Sequence, residues 1–138
     1  MAETYLKPLP AIDDLSRPFW DAAKRHELRL PCCDACGTCR TYFETWCASC
    51  GHDTFTWRLL SGRGTVWSHC AFHRVYFPGL AEDVPYNVAL VELAEGPRLV
   101  TNIVGIEREK IEIGMPVEVA FDDVTDEVTL VKFRPSAP

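Results

Sequence analysis

The sequence predicts a mostly β protein in which a short N-terminal helix and a small metal-bound ribbon precede a five-stranded barrel. Three observations carry this. Cys33-Asp34-Ala35-Cys36-Gly37 and Cys47-Ala48-Ser49-Cys50-Gly51 form two CxxCG hooks separated by ten residues. Five runs rich in β-branched and aromatic residues follow them, divided by turn residues. Ahead of them, Ser16 and Pro18 stand where a helix begins: a hydroxyl can cap the first turn, and a missing N–H costs nothing inside it.

Residues 1–27 read as an arm and helix. Tyr5-Leu6-Lys7-Pro8-Leu9-Pro10 is extended, because two prolines so close leave no helix. From Ser16 onward Phe19, Ala22 and Ala23 recur at helical spacing beside Trp20, while Asp21, Lys24 and Arg25 face solvent. Phe19 and Trp20 either pack within the chain or dock on a partner.

Residues 28–60 read as a rubredoxin-like zinc ribbon. Leu28-Arg29-Leu30 is a short strand ending at Pro31, Thr41–Trp46 a strand returning to the second hook, and Thr54–Leu59 the strand leaving it. In each hook the two intervening residues turn the backbone so that both sulfurs face one ion, and the following glycine permits the positive φ such turns need. Cys33, Cys36, Cys47 and Cys50 then complete a closed tetrahedral site with no open position for substrate. Such a site holds structural Zn²⁺, with iron as the rival because its Cys₄ geometry is nearly the same. So small a module has little core of its own and depends on the ion to fold.

Of the seven cysteines, Cys32, Cys39 and Cys70 remain, and ordinary packing or a free thiol accounts for them. The chain opens Met1-Ala2-Glu3-Thr4 without a charged start and apolar run, which leaves a secreted, disulfide-built protein unsupported. No apolar run is long enough to span a bilayer, and the expected location is cytoplasmic. His52 follows the second hook but is superfluous to a four-cysteine shell. Asp122, Asp123, Asp126 and Glu127 lack the spacing of a calcium loop and read as a solvated turn.

Residues 61–138 read as the barrel. Ser61-Gly62-Arg63-Gly64 marks the boundary. Thr65–Val75 is one long strand, coiled or bulged, followed by Tyr86–Leu93, Arg98–Val104, Pro116–Phe121 and Val128–Phe133. Five strands with one longer connection, from Gly105 to Gly114, suit an OB-type barrel. Its formal charge is unevenly placed: residues 82–138 carry twelve Asp/Glu against five Lys/Arg. That acidity disfavours the alternative reading, a free-standing ribbon and barrel that binds single-stranded nucleic acid, which needs a basic face. A nucleophile built on Cys70 with His69 or His73 is also disfavoured, because an alternating strand points Cys70 away from both histidines.

The order of motifs carries a resemblance. Phe19-Trp20, the two CxxCG hooks, Gly62-Arg63-Gly64-Thr65-Val66, Tyr76-Phe77-Pro78-Gly79, Val84-Pro85-Tyr86, Ala89-Leu90-Val91-Glu92-Leu93, Glu95-Gly96-Pro97-Arg98, Gly114-Met115-Pro116-Val117 and Phe133-Arg134-Pro135 follow one another as in a family of small bacterial and archaeal proteins. The chain resembles that family, long labelled domain of unknown function number thirty-five, from about Phe19 to Pro135. The resemblance implies a zinc ribbon joined to an OB-fold, acting as a non-catalytic accessory subunit in acyl-CoA metabolism. Its partner would be a thiolase-like catalytic subunit, whether thiolase, aldolase or acyltransferase, and the OB-fold would contact acyl-CoA or bridge subunits. The residues open to those contacts are Phe19, Trp20, Arg63, His73, Arg74, Tyr76, Phe77 and Arg98. The loop from His73 to Leu80 can press on the partner, receive a CoA ester beside its arginines, or fold over its own barrel; partner contact is preferred.

Replacing Cys47 by Ser is expected to remove metal and ribbon structure together, read by metal analysis and circular dichroism of the same sample; a folded, fully metallated variant refutes the ligand assignment.

Overall fold

The computed structural model describes residues 5–136; the opening Met1–Thr4, on which the absence of a leader was read, lies outside the described residues, as do residues 137 and 138. Helix α1 spans Arg17–Lys24 with proline in its first turn and Phe19, Ala22 and Ala23 buried. Ser16 occupies the cap position, but its hydroxyl does not cap the helix. It serves the preceding turn instead, where the Ser16 N–H donates to Asp13 Oδ1 (2.8 Å) and the Asp13 N–H donates to Ser16 Oγ (3.1 Å).

Strands β1 (Arg29–Cys33) and β2 (Phe55–Leu59) pair antiparallel, with Cys33 opposite Phe55. Strand β1 therefore runs through Pro31, where a stop was expected, straight into the first hook. The expected strand over Thr41–Trp46 does not form. Side chains take the groups a ladder would have used: the Arg40 guanidinium donates to the Glu44 carbonyl (2.6 Å), and the Ala48 N–H donates to the Tyr42 hydroxyl (2.7 Å). Phe43 turns inward against Phe19 and Trp57.

Strands β3 (Arg63–Phe72), β4 (Tyr86–Leu93), β5 (Arg98–Thr101), β6 (Pro116–Asp123) and β7 (Thr129–Pro135) form one antiparallel sheet in the order β5-β4-β3-β6-β7. It curls into a half-barrel whose two ends meet at a parallel bridge between Ile103 and Phe133. The Val104 N–H donates to the Phe133 carbonyl (2.8 Å), and the Phe133 N–H to the Asn102 carbonyl (3.1 Å). Strand β3 is bulged between Val66 and Ser68, as its length suggested, and ends at Phe72 rather than Val75. Strand β5 ends at Thr101, short of Val104, because the Asn87 side chain captures Ile103, two residues beyond. Its amide donates to the Ile103 carbonyl (2.8 Å) and accepts from the Ile103 N–H (2.7 Å), which satisfies that backbone outside the ladder. The connection after β5 carries one 3₁₀ turn, Arg108–Lys110, in place of a full helix.

A single apolar core joins these parts. Val66, Val91, Val117 and Phe133 fill the barrel, and the same cluster continues through Leu60 to Phe19, Leu28 and Leu30. Each such side chain contributes roughly 1.5–3 kcal/mol on burial. Helix α1 sits at the seam, packed on both β1 and β7. Just past it, His26 adopts a positive φ of 60° and stacks on Phe121, with its Nε2 3.0 Å from Asp123 Oδ2. The N-terminal arm is not loose: Lys7 Nζ lies 2.7 Å from Asp83, and the arm passes so close to Gly79 that a Cβ there would collide with the Leu6 carbonyl.

The Thr129 hydroxyl and then His26 hydrogen-bond to the Asp123 carboxylate and hold its pKa below the ordinary value. A depressed pKa stabilises the fold above the unfolded pKa and loses that contribution as pH falls through the folded one. Thermal unfolding of Asp123→Asn is therefore expected to be less sensitive than wild type to acidification below about pH 4; identical acid profiles overturn this.

Candidate metal centre

The two hooks fold as near copies. In each, the glycine after the second cysteine has φ 78°. The Gly37 N–H donates to the Cys33 carbonyl (2.9 Å) and the Gly51 N–H to the Cys47 carbonyl (2.7 Å). One residue further on, the Cys33 N–H donates to the Thr38 carbonyl (2.9 Å) and the Cys47 N–H to the His52 carbonyl (2.8 Å). His52 thus meets the knuckle through its backbone, and its side chain is exposed.

These turns bring Cys33, Cys36, Cys47 and Cys50 together, their sulfurs all within 4.8 Å of one another. Pairs form across the knuckles, Cys33 to Cys50 at 3.6 Å and Cys36 to Cys47 at 3.7 Å. A tetrahedral ion bound by thiolates at about 2.3 Å requires sulfurs about 3.8 Å apart. The donor set therefore fits a thiophilic ion in tetrahedral coordination. Cys33 and Cys47 are buried, Cys36 and Cys50 exposed.

The electrostatics point the same way. Hydrogen bonds from Thr38, side chain first and then backbone, pull the Cys36 thiol down to about 6. At Cys50 the backbone at His52 favours the thiolate, but the Cys33 sulfur, desolvation and the other two sulfurs outweigh it and push the thiol up to about 12. Four thiolates cannot share this volume without a cation, and the charge of a bound divalent ion would favour the ionised set.

Two leftover cysteines depart from expectation. Cys32 and Cys39, read as packed or free thiols, are joined in a disulfide across a β-bridge. The antiparallel return from the first knuckle makes them cross-strand neighbours, which spacing alone did not reveal. Cys70 is exposed on the outer face of β3, with His69 on the opposite face and His73 beyond the strand. Arg40 was passed over in the sequence: it is 3% exposed, lies on the Phe55 ring at 4.5 Å, and its Nε has no hydrogen-bond partner.

The residues expected to meet acyl-CoA or a partner fall in four places. Phe19 and Trp20, with Phe43, Leu99 and Val131, line an apolar cavity of about 310 Å³. Arg98 lies on the outer face of the barrel, its guanidinium 3.7 Å from the Trp67 ring centroid, and the loop holding His73, Arg74, Tyr76 and Phe77 is exposed beyond the end of β3. Arg63 stands apart at the start of β3 beside Glu118. A second cavity of about 570 Å³, which the sequence did not suggest, is lined by Tyr5, Lys7, Tyr86 and Arg108. The two cavities share a wall at Asn102, Leu130 and Lys132. Among the described residues, no helix is long and apolar enough to cross a membrane.

Residues 57–122 match the family model described as the ChsH2 C-terminal OB-fold domain. A probable enoyl-CoA hydratase alpha subunit from Thermomonospora curvata is 44% identical over 135 residues, covering 96% of this chain and 41% of that protein. The chain spans between one third and about two fifths of the length of this relative and a second hydratase alpha subunit. A DUF35 domain-containing scaffold protein from Methanocaldococcus jannaschii is 33% identical, covering 69% of this chain and 67% of that protein. Among solved structures, a chain of the Ltp2-ChsH2(DUF35) aldolase superimposes with a TM-score of 0.83 and 42% identity, covering 94% of this chain and all of that one.

Thr38→Ala is expected to raise the Cys36 thiol from about 6 toward its ordinary value of 9.0. In metal-free protein, the pH at which Cys36 becomes half-maximally reactive to an alkylating agent should rise accordingly; an unchanged profile refutes the role given to Thr38.

Proposed function

The chain belongs to the DUF35 family, and from that premise we propose that it is a zinc-holding, non-catalytic accessory subunit of an acyl-CoA-processing enzyme. Its partner is a thiolase-like catalytic chain. The observation that carries this is a belt of apolar side chains on the outer face of β3, β4 and β5. Register places Cys70 beside Val88 and Phe72 beside Tyr86 there, with Leu90 beside Val100. Val100 is 68% exposed, Tyr76 57% and Trp67 46%. An arginine lies on an aromatic ring at each end, Arg98 on Trp67 and Arg74 on Tyr76. Trp, Tyr and Arg are the side chains that most often anchor protein interfaces.

The loop after β3 serves this contact, in line with the preferred sequence reading. Acyl-CoA suits the adjoining cavities better than the loop. An acyl chain or pantetheine matches the Phe19, Trp20 and Phe43 walls, and phosphate groups match the end bearing Lys7 and Arg108. The four cysteines hold the ion that keeps the ribbon, and with it α1, against the barrel. Zinc supplies no chemistry to a substrate in so closed a shell; its work is to fix the knuckles.

Co-expression with a thiolase-like chain should yield one complex by gel filtration, colourless and containing zinc rather than iron. Trp67→Ala with Tyr76→Ala should weaken the complex about tenfold or more. A monomer that ignores such chains but shifts on single-stranded DNA at physiological salt overturns the proposal.

A further inference from the structure

We propose that the Cys32–Cys39 disulfide is a register lock for the metal site, tying the competing thiol of Cys39 to the buried Cys32 so that a single set of four remains. The proposal rests on reading Cys33, Cys36, Cys47 and Cys50 as the ligands. The first knuckle contains more than one usable hook. Cys33-Asp34-Ala35-Cys36 has CxxC spacing, and so does Cys36-Gly37-Thr38-Cys39, with Cys36 shared. With every cysteine reduced, an ion held by Cys36 and the second knuckle can take its fourth sulfur from Cys33 or from Cys39. The two choices place the ribbon's turn in different registers.

The fold removes the choice. Cys32 and Cys39 form an antiparallel pair flanked by two backbone bonds, from the Cys33 N–H to the Thr38 carbonyl (2.9 Å) and from the Arg40 N–H to the Pro31 carbonyl (3.0 Å). In such a non-hydrogen-bonded pair the side chains approach most closely. Consecutive residues of a strand point to opposite faces. Cys32 accordingly enters the apolar core, fully buried, while Cys33 joins the sulfur cluster. The bond thus ties off the stem of a loop, residues 33–38, that carries both ligands of the first knuckle, and it does so on the face turned from the ion.

The chemistry is thiol–disulfide exchange with a small-molecule disulfide of the glutathione class. The half-buried Cys39 thiolate attacks it and forms a mixed disulfide, releasing one small thiol. Cys32 then displaces the second, so one S–S bond forms as one breaks, and two electrons and two protons pass to the small molecule. A small-molecule thiol reverses the step. Oxidised, the knuckle has one ligand set; reduced, Cys39 stands as a substitute for Cys33.

The test titrates the full chain with zinc against a chromophoric chelator, with the disulfide intact and after reduction by a phosphine. Wild type should bind similarly in both states. Cys33→Ser should bind poorly when oxidised and recover about tenfold or more on reduction, and Cys33→Ser with Cys39→Ser should not recover. Independently of any variant, mass spectrometry of non-reduced wild type should yield a linked Cys32–Cys39 peptide, with the four ligands alkylated only after metal removal. Absence of the linked peptide, or a Cys33→Ser affinity indifferent to reduction, overturns the lock while leaving the ligand reading intact. Wild type that binds no zinc in either state sinks both.

Discussion

Four cysteine sulfurs within 4.8 Å of one another are the constraint on which the rest of this structure depends. Thiols at that separation oppose one another's ionisation: the neighbouring sulfurs help push Cys50 up to about 12, while hydrogen bonds from Thr38 draw Cys36 down to about 6. A bound divalent ion would resolve this conflict and would fix two turns that have almost no apolar side chains to hold them. Strand β1 leads from one of these turns into the shared core, so order at the knuckles is carried to Leu28 and Leu30 and from there to Phe19. The ribbon has no core separate from the barrel's; it extends it.

Much of this was legible in the amino-acid sequence, for reasons specific to the residues. The hooks were legible because a CxxCG turn is local: spacing and one glycine define it. Strand β4 begins and ends where alternation from Tyr86 to Leu93 says it should, since one of its faces is buried along its length. What was misread depended on groups distant in sequence. Thr41–Trp46 has the composition of a strand, yet Arg40 and Tyr42 side chains hold the loop's backbone in another shape. Arg98–Val104 reads as one strand, but Asn87, on a neighbouring strand, takes over the backbone at Ile103. The Cys32–Cys39 bond required knowing that the chain returns on itself after the knuckle. The cavity beside Lys7 required knowing that the arm lies across Gly79.

The barrel presents two surfaces of different character. Its outer face over β3, β4 and β5 is apolar and bounded by arginines stacked on aromatic rings, a surface suited to another protein. Its end toward α1 is concave, with an apolar cavity and a more polar one sharing a wall. Trp67 follows the buried Val66 and points outward under Arg98, and the bulge there pairs Ser68 rather than Trp67 with Leu90.

Helix α1 touches β1 of the ribbon on one side and β7 of the barrel on the other, and its aromatics wall the apolar cavity. That position puts one element against both the cavity wall and the strand that carries Cys33. If an ion in the ribbon favours the helix position that shapes the cavity, then a molecule seated in the cavity must tighten the hold on the ion by the same factor, because coupling between two binding equilibria is reciprocal. A short helix lodged between β1 and β7 is the element through which such a coupling would run.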